Sequence, residues 1–273
     1  MVECGSMTPP DQLPDTLRHL RQARRLSQLA LSLTLGVSQR HISFVEQGRA
    51  QPSRALLMAW LQALDAPLAQ RNAALLQAGF APAYGDAARG DPGLAQAEWA
   101  LRHLLQAHDP LPALVVSAQW DVLQVNQGAQ WLIHTLLPWT AELPATAPMN
   151  MLDLLAHPQG LFTCISNLAE VAPHLMAQWR AELALQPTLA PRIAAVEAAL
   201  HARIGPSHKP AAAPRSPVLT TRFASSLGEL AFFSMFTTFG TPQDIHLASL
   251  RVEHLFAANE ATRLTLEQHV PRP

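Results

Sequence analysis

The sequence predicts an all-α unit of five short helices over residues 15–80, followed by an α+β unit over residues 94–257. Three observations lead there. Apolar residues recur every three to four positions between Asp15 and Gly79, with a cap or a stop at each helix end. Residues 81–93, APAYGDAARGDPG, interrupt that pattern with prolines and glycines and read as a linker. Beyond them, short β-type runs flank a helical middle. A length of 273 residues suits two domains of about 100–150 residues each.

Residues 1–14, with Pro9, Pro10 and Pro14, carry no periodicity and are expected to form a loose arm, within which Met7 is an alternative start to Met1. Leu13, Leu17 and Leu20 mark the first helix. Ser27 opens a second through Leu35, Ser38 a third to about Gln47, and Ser53 a fourth with Leu56, Leu57, Trp60, Leu61 and Leu64 on its apolar face. Serine suits these positions because its oxygen accepts an N–H that the first helical turn leaves free. Pro67 starts the fifth helix, where a missing N–H costs nothing, and Gly79 ends it. In the second unit a helix is expected from Leu94 to Ala107, then strands at Ala113–Val116 and Val122–Val125 around a turn near Gln119 to Asp121. Asn126 is placed to cap a helix through Leu137. Helical segments follow at Asn150–Ala156, Leu161–Leu185 and Ala190–Ile204, then a flexible loop from Gly205 to Pro217. Strands are expected at Val218–Phe223, Glu229–Phe239 and Asp244–Phe256, and residues 258–273 as a tail.

Composition narrows the function. Hydrophobic residues at 49% and charged residues at 14% permit real cores and exclude a disordered chain. The longest apolar stretches, such as Pro112–Val116, fall far short of the roughly 20 residues that span a bilayer, so no membrane partner is expected. No basic start leads into an apolar run, and Cys4 and Cys164 cannot build a disulfide framework. A reducing cytoplasm is the expected location. Residues 1–80 hold eight arginines against five acids, a net +3, while the remainder carries −4, so only the first part favours phosphates.

The segment Gln28–Gly48, QLALSLTLGVSQRHISFVEQG, meets the demands of two helices joined at a steep angle. Ser32 is small at the crossing, Gly36 tolerates the turn, and Leu31, Leu35, Val37, Ile42 and Val45 take the buried positions. Ser38 leaves Gln39, Arg40 and His41 on the first turn of the second helix, the turn that enters a major groove in such a motif. Gln pairs with adenine and Arg with guanine through two hydrogen bonds. Gln28, at the start of the preceding helix, is placed to meet a phosphate with its amide and backbone N–H, and Arg49 and Arg54 to neutralise backbone charge. Ser38, His41 and Ser43 border the same surface and are further phosphate candidates, a solvated histidine being the alternative for His41.

LSQLALSLTLGVSQRHISFVEQGRAQPS resembles the helix-turn-helix of the phage-repressor-like (Cro/C1, or XRE) regulators over residues 15–78. The resemblance implies double-stranded DNA as partner, with Gln39, Arg40 and Phe44 at base edges. It also implies a buried ion pair between Arg21 and Glu46 that holds the first helix to the recognition helix. Phe44 departs from the polar residue common there, and either packs on a thymine methyl or belongs to the core.

The stretches PALVVSAQWDVLQVNQGA, NMLDLLAHPQG, ISNLAEVAPHL and GELAFFSMFTTFGTPQDIHLASLRVEHLF resemble the MmyB-type ligand-binding domain over residues 92–257. That resemblance implies a PAS-like fold, an antiparallel sheet with helices over one face, holding a small and mostly apolar effector, with fatty acids a candidate class. From the residues themselves the pocket candidates are the apolar Trp131, Leu154, Phe162, Trp179, Phe233 and Met235 and the polar Asn126, His157 and Asn167. The plainer alternatives are ordinary core, a helix cap at Asn126 and a helix end at His157. Phe232 and Phe233 face opposite sides of their strand, so at most one lines a given pocket. No catalytic or nucleotide-binding motif and no metal-ligand spacing appears, and Glu253 and Glu260 read as ordinary surface charges. The expectation is a homodimeric, effector-responsive DNA-binding regulator, a repressor and not an enzyme, with no metal or cofactor. The alternative is a constitutive repressor whose second domain only dimerises.

Overall fold

The computed structural model describes residues 12–87, 91–144, 147–205 and 218–271. Of the arm expected over residues 1–14, residues 1–11 lie outside them and Leu13 and Pro14 instead open the first helix; most of the loop expected at 205–217 also lies outside. The chain divides into two compact units, Met1–Ala88 with Thr241–Ala248, and Arg89–Gly240 with Ser249–Pro273.

The first unit contains α1 (Leu13–Ala23), α2 (Gln28–Leu35), α3 (Gln39–Glu46), α4 (Arg54–Ala63) and α5 (Leu68–Gln77). The Ser27, Ser38 and Ser53 hydroxyls accept the Ala30, His41 and Leu56 N–H groups, capping three of these helices. Gly36 has φ +66°, the left-handed conformation that turns the chain from α2 into α3. Ser32 is buried beside that turn, and Leu17, Leu31, Ile42, Val45, Leu57, Trp60 and Leu61 form the core.

Part of the expected linker is packed rather than free. The buried Asn72 amide accepts the Ala83 and Tyr84 N–H groups and donates to the Tyr84 carbonyl. Arg71 donates to the Tyr84 hydroxyl at 3.1 Å. Gly85 then pairs in parallel with Asp244, whose carboxylate accepts the Ala87, His246 and Leu247 N–H groups. The strand expected from Asp244 is therefore replaced at its start by a short helix, α11 (Ile245–Ser249).

The second unit holds α6 (Ala95–His108), β1 (Ala113–Val116), β2 (Asp121–Val125), α7 (Gln127–Leu136), β3 (Met149–Asn150), α8 (Met151–Ala156), α9 (Leu168–Leu185), α10 (Ala190–Ile204), β4 (Thr221–Ser225), β5 (Gly228–Thr237), β6 (Arg251–Ala257) and α12 (Glu260–His269). The strands form one antiparallel sheet in the order β3-β2-β1-β6-β5-β4. Side chains alternate between its faces. Leu114, Phe232, Ser234, Phe236, Glu253 and Leu255 share a face with α7, α8 and α9. Phe233, Met235, Val252, His254 and Phe256 lie on the other, where His108 of α6 meets His254 and Phe256 edge-on at 4.8 and 5.0 Å. The helical layer thus covers one face as expected, while α6 occupies the opposite one.

Two further expectations are corrected. The single helix Leu161–Leu185 breaks before α9, because Cys164–Ser166 runs beside β4, with Ile165 bridged to Phe223. The tail at 258–273 is instead the helix α12, capped by Asn259 and anchored by buried Thr262, Leu266 and Val270. Apolar spacing in ATRLTLEQHV carries that signal, and the Thr262 hydroxyl also accepts the Ala231 N–H at 2.9 Å.

Asn126 joins the unit's layers. Its oxygen accepts the Ala113 and Ala129 N–H groups, and its amide donates to the Leu105 and Leu111 carbonyls. All of its bonding capacity is used inside the protein. Asn126→Ala strands those backbone groups and is expected to destabilise the unit by about 3 kcal/mol or more, read from urea unfolding. A loss below about 1 kcal/mol would show that this side chain does not join the layers.

Candidate nucleic-acid interface and ligand cavity

The first site is built on Glu46, which is 1% exposed at the end of α3. Arg21 grips its carboxylate with two hydrogen bonds, Nε to Oε1 at 2.6 Å and Nη2 to Oε2 at 2.8 Å, and donates a third to the Leu26 carbonyl. Gln28 donates to Oε2 at 2.8 Å, and Arg18 donates to the Glu46 backbone carbonyl. Burial pushes the Glu46 carboxyl up, but the hydrogen bonds from Arg21 and Gln28 and the Arg21 and Arg18 charges outweigh it, holding it below the usual range. One carboxylate thereby ties α1 and α2 to α3.

The other end of α3 faces outward. Gln39 and Arg40 are exposed on the turn that Ser38 caps, so their side chains can enter a groove. Ser38 is exposed and keeps its own hydroxyl hydrogen to donate. His41 and Ser43 are half-buried, and Ser43 accepts the Gln47 amide at 2.9 Å. Arg49 and Arg54 are exposed. Of the alternatives expected for it, Phe44 does not take membership of the core. It is half-buried outside the core cluster, with the Arg40 guanidinium 5.0 Å above its ring. Gln28 commits one amide hydrogen to Glu46, leaving its second hydrogen and its backbone N–H for a phosphate.

The second site is a cavity of about 390 Å³ between the sheet and α7, α8 and α9, within the range of small-molecule sites. Leu114, Trp120, Leu132, Leu155, Trp179 and Phe232 give it an apolar wall, and Gln178, Thr221, Ser234 and Glu253 are its polar side chains. Near Trp120, Arg251 pairs with both Glu182 oxygens at 2.7 and 3.3 Å and lies 4.5 Å over the Trp120 ring. The Trp120 indole also donates to Glu182 at 2.6 Å. Trp120 has φ +64°, a conformation that bulky residues rarely adopt, and these contacts on α9 and β6 hold it there.

Of the pocket candidates read from the sequence, Trp179 lines this cavity. Asn126 is the internal joint described above. Asn167 ties α9 to β4, accepting the Arg222 N–H and donating to the Thr220 carbonyl. His157 is exposed and stacks on Trp139 at 4.4 Å. Trp131 borders a separate surface hollow with His134 and Pro271. Leu154 and Phe162 are buried in the core, Phe162 packing beside Trp179. Phe233 and Met235 belong to the opposite face of β5: Phe233 stacks on Phe256, and Met235 is 53% exposed. On the cavity side, where Phe233 and Met235 were expected, β5 places Phe232, Ser234 and Phe236.

Glu253 is the largest correction. It is no surface charge, because the pairing of β6 with β1 and β5 sets it between Leu114 and Phe236 on the cavity face. Burial pushes its carboxyl up to about 7, against a Ser234 hydrogen bond and the Arg251 charge. Alternation in RVEHLFA puts Glu253 and Leu255 together, but that pattern does not say which face is inside. Glu260 is exposed and paired with Arg263, as a surface charge should be. Among the described residues no cluster of His, Cys, Asp and Glu could hold a metal ion, and no helix is long and apolar enough to cross a membrane.

Comparison with known families finds two matches. Residues 97–268 match the MmyB-like transcription regulator ligand binding domain, and residues 12–74 match a helix-turn-helix domain. No curated protein matches the chain.

Glu46→Ala removes the answer to a buried Arg21 charge, and an unfolding loss of about 3–5 kcal/mol is expected. Because the folded carboxyl lies below its ordinary range, its contribution is complete above the unfolded pKa and disappears as pH falls through the folded one. The stability gap between wild type and Glu46→Gln should therefore close on acidification below about pH 4, and a gap that widens there would contradict the pairing.

Proposed function

This chain belongs to the MmyB-like transcription regulators, and we propose that it is a repressor that reads a specific operator and responds to a small, mostly apolar effector. The reading of DNA rests on the outward first turn of α3, with Gln39 and Arg40 at base edges. Phe44 serves as a shelf for Arg40. Ser38, His41, Ser43, Arg49, Arg54 and the start of α2 meet phosphates. The effector reading rests on one observation, the apolar cavity between the sheet and its helices with few polar groups. We further propose a cytoplasmic homodimer without enzyme activity, binding half-sites about one helical turn apart. The effector acts by binding one arrangement of the paired DNA-reading units better than another.

The test is operator affinity with and without a compound that calorimetry shows to be bound, for which a change of about 5–150-fold is expected. Identical affinity in both states would remove the switch.

Two arginine variants separate reading from anchoring. Arg40→Ala should cost about 1–3 kcal/mol on the selected operator and relax preference at one base step. Arg54→Ala should weaken all sequences alike and flatten the salt dependence, as binding assays across salt would show. The reverse pattern would mean that the two roles are exchanged.

A further inference from the structure

The polar groups of the cavity say what head group it accepts. Among the described residues that line it, Glu253 is the one ionisable side chain, and none is Arg, Lys or His. Its neighbours across the sheet are Leu114 on β1 and Phe236 on β5. Ser234 on β5 hydrogen-bonds it, α9 brings the neutral Gln178, and β4 brings Thr221. The charge of Arg251 on the same strand acts on Glu253, but that guanidinium is already held by both oxygens of Glu182 and lies over Trp120. His254 points to the opposite face, toward His108. Among the described lining residues a carboxylate ligand would find no counter-charge, and it would meet a second carboxyl. A cation would find a carboxyl that forms no ion pair with any described residue.

We propose that the cavity takes an apolar molecule carrying one basic nitrogen, whose ammonium group pairs with the Glu253 carboxylate beside Ser234 while its hydrocarbon part fills the space between Trp179, Leu132 and Phe232. This rests on the reading of the cavity as the effector site. Burial that raises the Glu253 carboxyl to about 7 is what a bound ammonium would offset, by restoring a partner to the charged form. The head-group preference runs against the fatty acids that the family resemblance suggested.

The test uses the full-length protein and a matched set of probes, decylamine, decanol and decanoic acid, titrated by calorimetry below their aggregation limits. Near pH 8 decylamine should bind about tenfold or more tightly than decanoic acid, since Glu253 is then mainly charged. Its affinity should fall by up to about tenfold near pH 6, where Glu253 takes up a proton and the amine stays protonated. Glu253→Gln should bring decylamine to the affinity of decanol and leave decanol unchanged. Decanoic acid binding as tightly as decylamine near pH 8 would overturn the proposal, and this wild-type comparison stands even if the variant fails to fold. A variant that binds decanol and still prefers the amine would overturn it too. If none of the three probes binds, the effector-site reading itself fails. If decanol binds and the amine has no advantage, only the head-group assignment fails.

Discussion

Glu46 is the group on which the DNA-reading unit depends. A carboxylate taken out of water must be met by donors or give up its charge. Here Arg21 from α1 and Gln28 from α2 converge on it, and Arg18 takes the carbonyl of the same residue. The three helices cannot shift relative to one another without leaving a charge unanswered. That rigidity has a functional consequence at the other end of α3. Ser38 caps the helix there, and Gln39 and Arg40 project from a turn whose position is set by contacts more than a helical turn away. Phe44 extends the same logic by one step, offering Arg40 an aromatic surface outside the core.

The second unit uses neutral polar groups for its joints. Asn126 links α6, β1 and α7 with four hydrogen bonds, and Asn167 links α9 to β4. An amide suits that task because it donates and accepts at once and carries no charge to desolvate. Where the unit does bury an ion pair, Arg251 with Glu182, both partners keep some exposure and the Trp120 indole donates to the carboxylate. Glu253 breaks this pattern. It lies on a cavity wall with a hydroxyl for a partner and its carboxyl displaced toward neutrality. That placement of a carboxyl on a cavity wall is the observation on which the proposed head-group assignment rests.

The sheet decides which side chains reach the cavity. Antiparallel pairing sends alternate side chains of β5 and β6 to opposite faces, so one strand lines the cavity with Phe232, Ser234 and Phe236 and presents Phe233 and Met235 to the α6 side. A register slip of one residue would exchange the two sets and bring His254 in place of Glu253. The chemistry of the cavity is thus a property of strand register as much as of composition.

Local patterns were enough to determine the five helices of the first unit, their serine caps, the Gly36 turn and the outward residues of α3, because each depends on neighbours within a few positions. The resemblance to phage-repressor-like regulators also anticipated the Arg21–Glu46 pair. Alternation placed Phe232 and Phe233 on different faces without telling which was inside. Tertiary structure alone decided that, because the inner face of a strand is set by partners far along the chain, Leu114 and Phe236 in the case of Glu253. The same reason explains why Asn126 and Asn167 looked like pocket residues and are joints, and why residues 83–87 looked like a free linker and are held by Asn72 and Asp244. A polar side chain in a sequence announces that it needs a partner, and only the folded chain shows whether the protein already provides one.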